Sequence, residues 1–330
     1  MRKALLRVFP WLAALALLIW VFSSISWADA WAALRQLGPI QILAFVVANS
    51  VVLLAINGRW WLILYAQGHQ IPYFSLMGYR LGVFGLSYFT PAPQFGGEPL
   101  QVYLVERHHA VPRSSAIAAT TLDKTFELLV NFTFLALCVL LLLQSQLFEG
   151  YVNPKAALFP LLLLALPLGF LLATWAGWHP ISGLLQVGTS LSFWHKRPTW
   201  LERYQQACQT MKSSETQITT LYRAAPLPLT LALLISIIGW LLMIGEYWLM
   251  WSLLGVQLTF IEVIALLTAA RIAILLLLPG GIGTLEASQL FALSALGINP
   301  ALGVSASVLI RTRDVMLATF GLWWASQKLR

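Results

Sequence analysis

An apolar chain that is broken twice in the same way has few folds open to it. Pro91-Ala92-Pro93-Gln94-Phe95-Gly96-Gly97-Glu98 is followed by Lys124-Thr125-Phe126-Glu127. Pro279-Gly280-Gly281-Ile282-Gly283-Thr284-Leu285-Glu286 is followed by Arg311-Thr312-Arg313-Asp314. Pro91 and Pro279, like Glu98 and Glu286, lie 188 residues apart, and Lys124 and Arg311, like Glu127 and Asp314, lie 187 apart. Hydrocarbon cannot satisfy the backbone groups that such breaks release, so each must face protein or a water-filled cavity. Breaks at corresponding places in two halves of a membrane chain point to a transporter's binding site. Composition leaves no soluble alternative, because 59% apolar and 10% charged residues are too hydrophobic a mixture for a globular core of 330 residues.

Runs long enough to cross a bilayer, about 20 residues each, occur at Phe9 to Trp27, Ile40 to Tyr65, Ser114 to Leu143, Ala157 to Trp175, Leu227 to Leu254 and Ala301 to Trp324. Two further apolar segments, Phe74 to Val105 and Phe260 to Leu296, hold the breaks. Each is either a re-entrant hairpin or a pair of short spans, which allows six to eight crossings. With re-entrant breaks, the basic groups Arg2, Lys3 and Arg7; Arg80, Arg107 and Arg113; Lys196, Arg197, Arg203, Lys212 and Arg223; and Lys328 and Arg330 all fall on the cytoplasmic side. Arg35 and Lys155 alone face the other way. Three crossings, Ser114 to Leu143, Ala157 to Trp175 and Leu227 to Leu254, then lie between the two breaks, so the repeats are inverted.

The expected fold is all-α, a polytopic transmembrane helix bundle with two inverted repeats, each carrying a re-entrant segment. It forms one integral membrane domain over residues 1–330: a first span and loop (1–39), repeat one (40–145), a fourth span with a cytoplasmic amphipathic segment (146–226) and repeat two (227–330). The basic start and apolar run to Phe22 resemble a signal peptide, but the run is long and further spans follow, which favours a retained span. Cys138 and Cys208 sit in unlike surroundings and are not expected to pair. In the central segment Leu201, Tyr204, Cys208, Met211, Ile218 and Tyr222 recur with helical spacing, interrupted only by Glu215. That is an amphipathic helix, an elbow between the halves lying at the membrane surface or on the bundle.

The breaks would serve as hinges through Pro91, Gly96, Gly97, Pro279, Gly280, Gly281 and Gly283. Beyond them, Pro99 suits a first helical position with Glu98 as cap, and Thr284 suits a cap with Glu286 in the first turn. Half-helix N-termini attract anions such as phosphate. A carboxylate in hydrocarbon costs about 2.5 to 3.5 kcal/mol, more than the roughly 0.5 to 2 kcal/mol of a cap, so Glu98 and Glu286 ask for a role beyond capping. Lys124 with Glu127, and Arg311 with Asp314, share a helix face at a spacing of three, with Asp123 and Arg313 alongside. Local ion pairing explains the acids better than the bases, which are candidate contacts for an anionic headgroup. Arg271 and Glu246 are further embedded charges able to pair across helices, while Arg59 suits snorkelling to the interface.

Other chemistries find no footing. Gly281-Ile282-Gly283-Thr284-Leu285-Glu286 has Glu where a dinucleotide fingerprint needs its last glycine, and it lacks a βαβ context. His108 and His109 are adjacent on a helix and cannot both face one site, and HExxH, GxSxG and CxxC are absent, so no metal site, cofactor or hydrolase is expected. Trp60, Trp61, Trp323 and Trp324 suit interfacial belts.

Through Thr90-Pro91 to Gly96-Gly97-Glu98, then Tyr103, Arg107, Leu122 to Leu128 and Pro279 to Glu286, the chain resembles the transmembrane region of lysylphosphatidylglycerol synthase, a group also described as flippase-like. The resemblance covers most of the chain from the second span onward. It implies an α-helical protein of the bacterial inner membrane that handles lipids, in some relatives moving an aminoacylated phospholipid between leaflets. The chain departs from the full synthases by ending at Arg330, before a soluble aminoacyl-transferase region, so it is not expected to make lysyl-lipid by itself. Lys124 stands where an arginine would be expected, keeping charge but losing the bidentate fork.

The expected activity is translocation of an amphipathic, anionic or zwitterionic lipid. Glu98, Lys124, Glu127, Arg271, Glu286, Arg311 and Asp314 are its candidate substrate contacts, and no nucleic-acid partner is expected. The alternative is a membrane enzyme, or an accessory subunit of a lipid-modifying or glycosyltransferase enzyme, acting on a polyprenyl or glycerolipid carrier. A third reading, a scaffold with structural ion pairs, ranks below both.

Overall fold

A computed structural model describes residues 31, 32, 34, 35, 37–88, 96–144, 155, 158–189, 198–275 and 283–329. The span expected at Phe9 to Trp27 and the hinge candidates Pro91, Pro279, Gly280 and Gly281 lie outside the described residues. Eleven helices are described, and no strand occurs among the described residues. The polytopic all-α bundle is therefore the fold.

Four helices open the order: α1 (Pro39–Ala66), α2 (Tyr73–Tyr88), α3 (Glu98–His109) and α4 (Arg113–Gln144). Three follow: α5 (Leu158–Trp175), α6 (Pro180–Thr189) and α7 (Pro198–Ala224). Four close it: α8 (Pro226–Leu253), α9 (Phe260–Ile274), α10 (Thr284–Ala295) and α11 (Ala301–Leu329). The last four repeat the first four as long helix, shorter helix, half-helix and long helix, each beginning 186 to 188 residues after its counterpart. Local chemistry repeats as well: both leading helices start on a proline at their first position, Pro39 and Pro226, where a missing N–H costs nothing.

α1, α4, α5 and α8 are long and apolar enough to cross a membrane. α11 matches them in length, with 29 residues, but carries Arg311, Arg313 and Asp314 near its middle. Leu162 and Leu166 on α5 and Ile40 on α1 point outward, 69%, 70% and 82% exposed. A surface so apolar suits lipid and not water.

The broadest packing joins α1 to α8 and α2 to α11. α4 meets α9, the counterpart of α2 meeting α11 when the two sets of helices are exchanged. Each hydrophobic cluster accordingly borrows from the other half. Phe45 and Val130 enter the cluster around Trp240, Trp251 and Leu266, while Leu229 and Ala232 enter that around Trp60, Leu76 and Leu122. Close approach of α2 and α11 depends on small residues: a Cβ on Gly82 would lie 2.7 Å from that of Ala325. Gly78 and Gly82 make the GxxxG spacing that brings helix backbones together in membranes.

The amphipathic stripe lies where the periodicity places it, as the buried or half-buried face of α7 against α4, α5 and α6. Glu215 is no lapse in that stripe. Buried to 1% exposure, its carboxylate accepts from the backbone N–H of Ile181 (2.7 Å) and Ser182 (3.1 Å) and from the Ser182 hydroxyl (2.5 Å). It satisfies the free amides at the start of α6 and fixes that helix to α7. Cys138 and Cys208 are both free and buried.

Candidate functional site

Both half-helices that follow the breaks start at a glycine. Gly97 precedes α3, and a Cβ there would meet Val83 Cγ1 at 2.5 Å and Ser87 Oγ at 2.7 Å. Its smallness serves close packing of α3 on α2. Gly283 precedes α10 with φ at +80°, a left-handed conformation that glycine adopts without strain. These glycines, and not Glu98 and Thr284, hold the cap positions. Glu98 and Thr284 are the first helical residues. Glu286 supplies the capping contact, its Oε2 accepting from the Gly283 N–H at 2.8 Å.

The capping carboxylate also reaches the next long helix. Arg311 Nε donates to Glu286 Oε1 at 3.0 Å and Nη2 to Oε2 at 3.4 Å, while Nη1 reaches the Tyr88 hydroxyl at 3.3 Å. Tyr88 ends α2, directly before the first break, so this cluster joins both halves. At the corresponding place in the first half, Lys124 Nζ lies 3.5 Å from Glu98 Oε1 and 2.9 Å from Glu127 Oε1. The two breaks thus lead into matching acid–base pairs.

Further pairs extend the first cluster. Asp123, 3% exposed, accepts from Arg59 Nε on one carboxylate oxygen and from Arg80 Nη2 on the other, both at 2.7 Å. Arg59 also reaches Glu127 at 3.3 Å. Arg59 therefore does not snorkel: at 4% exposure it is buried, because two carboxylates on α4 neutralise it in place. Trp60 is likewise no belt residue, being 1% exposed beneath the Arg80 guanidinium, 5.6 Å from its ring centre. Trp323 is exposed, whereas Trp324 packs on Tyr79. His108 and His109 do converge after all, on the Tyr79 ring, which lies 6.0 and 5.7 Å from theirs. A flat ring wedged at the helix end can touch both.

In the second half, Glu246 accepts from Arg313 Nη1 at 2.5 Å and from Asn49 Nδ2 at 3.1 Å. Asp314 pairs with its neighbour Arg313 at 2.9 Å, leaving Arg311 to Glu286. Arg271 does not pair with Glu246 as the sequence suggested. Its guanidinium lies 4.8 Å above the Trp240 ring and against Met243 Sδ.

Six bases (Arg59, Arg80, Lys124, Arg271, Arg311, Arg313) and six acids (Glu98, Asp123, Glu127, Glu246, Glu286, Asp314) make up this constellation. The acids are half of the 12 in the chain. Of the seven candidate contacts, Glu98, Lys124 and Glu127 form one group, Glu286 and Arg311 a second, Asp314 joins through Arg313, and Arg271 stands apart from the pairing. Sequence reasoning missed Asp123 and Arg80 as partners. An acid deep in α4 with two upstream arginines was the available signal, but no periodicity tells which helices meet. An open apolar groove of about 380 Å3 is lined by Phe126, Leu171, Leu172, Trp175 and Tyr222. Among the described residues no cluster of His, Cys, Asp and Glu has the makings of a metal site.

Long apolar helices around a charge-paired interior define a polytopic integral membrane protein. The chain belongs to the lysylphosphatidylglycerol synthase TM region family, whose sequence profile matches residues 7–321. It is similar to a UPF0104 membrane protein of Methanothermobacter thermautotrophicus, 23% identical over 289 residues, 84% of this chain and 82% of the relative. No solved structure matches the chain.

Proposed function

We propose that the protein translocates an amphipathic lipid with an anionic or zwitterionic headgroup across the bacterial inner membrane, with both termini cytoplasmic. The observation that carries the reading is the doubled pair, Glu98 with Lys124 and Glu286 with Arg311, at corresponding places after two breaks. A phosphate resembles a carboxylate in charge and acceptor geometry, so it can replace Glu98 on Lys124 or Glu286 on Arg311. The displaced carboxylate is the protonatable gate, and the original pair reforms once the headgroup leaves. A membrane-related role for the family agrees with this scheme. The apolar groove beside Phe126 suits an acyl chain, which otherwise stays in the bilayer.

Inversion of the repeats supplies alternating access, each break opening the interior toward one leaflet. The recurring helix order and the exchanged packing of α2 with α11 and α4 with α9 support that arrangement. The test is flipping of fluorescent short-chain phospholipids in liposomes. Wild type should flip them, and the double variant Glu98→Gln, Glu286→Gln should lose most of that rate. Equal rates would remove the carboxylates from the mechanism, and an inactive wild type across anionic and zwitterionic lipids would defeat the reading itself.

A further inference from the structure

Five of the six interior bases lie in ion pairs: Arg59, Arg80, Lys124, Arg311 and Arg313. Among the described residues Arg271 is the exception. It stands in the last turn of α9, a helix of the second repeat that packs against α4 of the first. Its guanidinium lies over Trp240, which is itself stacked on Phe134 with ring centres 5.1 Å apart. Met243 touches Nη2. The Trp240 ring holds the plane of the fork by cation–π attraction but does not neutralise it.

Acids are near and turned elsewhere. Glu127 and Glu246 lie within electrostatic reach of Arg271, as does Arg313 with the same sign. Glu127 is engaged by Lys124 and Arg59, and Glu246 by Arg313 and Asn49. A guanidinium kept in such surroundings without a carboxylate contact is costly. Its planar donors match the oxygens of a phosphate, and an aromatic floor fixes their direction.

We propose that Arg271, seated on Trp240 between the charge clusters of the two repeats, is the binding site for the phosphate group of the transported lipid. The proposal rests on the translocation reading and deepens it. Lys124 and Arg311 are occupied by carboxylates that an incoming headgroup must displace, whereas Arg271 offers its charge without that exchange. It is therefore the first interior station for the anion, and the paired bases receive it afterwards.

The test is equilibrium binding to purified protein in detergent, with three probes: dihexanoyl phosphatidylglycerol, dihexanoylglycerol and inorganic phosphate. Arg271→Gln should weaken binding of the phospholipid about tenfold or more, as expected for a lost charge-assisted contact. Arg271→Lys should weaken it less, and dihexanoylglycerol should bind all three proteins alike. If Arg271→Gln does not fold, Arg271→Lys carries the comparison. Arg271-dependent binding of inorganic phosphate as tight as that of the phospholipid upholds the site and assigns it to a free anion, while a preference for the phospholipid assigns it to a headgroup. Equal phospholipid affinity in wild type and variants overturns the proposal, as does a wild type that binds neither phosphate-bearing probe. Binding is read without transport, so failure of the flipping assay leaves this result standing on its own.

Discussion

Glu286 and Arg311 are joined by two contacts, at 3.0 and 3.4 Å, while the same carboxylate closes the start of α10 on the Gly283 N–H. One side chain thus sets both the beginning of a half-helix and its distance from the next long helix. Removing either charge strands the other inside the bundle, a loss of about 3 to 5 kcal/mol for buried pairs. Glu286→Gln and Arg311→Gln should each lower the melting temperature in detergent, and the double variant should lose less than the sum, with a coupling of roughly 0.5 to 3 kcal/mol. Additive losses would show that the contact carries no energy.

Asp123 is the carboxylate with the most to lose. Asp123→Asn leaves Arg59 and Arg80 without their shared partner, and Glu127 alone remains for Arg59. We expect destabilisation of about 3 to 5 kcal/mol, larger than that of Glu98→Gln, whose side chain is 26% exposed and whose contact is 3.5 Å long. The reverse order in a thermal melt would contradict the assignment of Asp123 as the central partner.

Glu215 should act locally. Glu215→Ala removes three contacts to the first turn of α6, each worth on the order of 1.5 to 3 kcal/mol when the acceptor is charged. Hydrogen exchange at the amides of Ile181 to Val187 should accelerate while α1 and α8 stay protected. Unchanged exchange in α6 would mean that its packing, not this carboxylate, holds it.

Inversion of the repeats has its own test at Gln70 and Gln257, exposed residues 187 positions apart in the α1–α2 and α8–α9 loops. With cysteine at one or the other, a membrane-impermeant thiol reagent should label position 257 in intact cells and position 70 after the membrane is opened. Labelling of both from the same side would end the inverted arrangement and the access scheme built on it.

The helices were legible because their causes are local. Apolar length and the helical spacing of Leu201 to Tyr222 both act within one segment. The pairs Glu98–Lys124 and Glu286–Arg311 were half legible, since spacing put the four residues in register without saying that a half-helix N-terminus would meet the following span. Arg59, Arg80 and Asp123 were not legible as a unit. Their meeting depends on how α1, α2 and α4 pack, and an arginine near a helix end reads as interfacial until its partner's position is known. The caps at Gly97 and Gly283 went unread for a smaller reason: Pro99 suited a first helical position and threonine is a strong capping residue by propensity, but close packing and a left-handed backbone favour glycine.

The interior charges also divide evenly. Arg59, Arg80 and Lys124 offset Glu98, Asp123 and Glu127 in the first half, and Arg271, Arg311 and Arg313 offset Glu246, Glu286 and Asp314 in the second. If each repeat rocks as a body in the proposed scheme, its six interior charges cancel, and membrane voltage, which acts with about 2.3 kcal/mol per elementary charge per 100 mV, gains no net hold through them. The response of transport to an imposed potential then reports the charge of whatever is carried, together with any proton that travels with it.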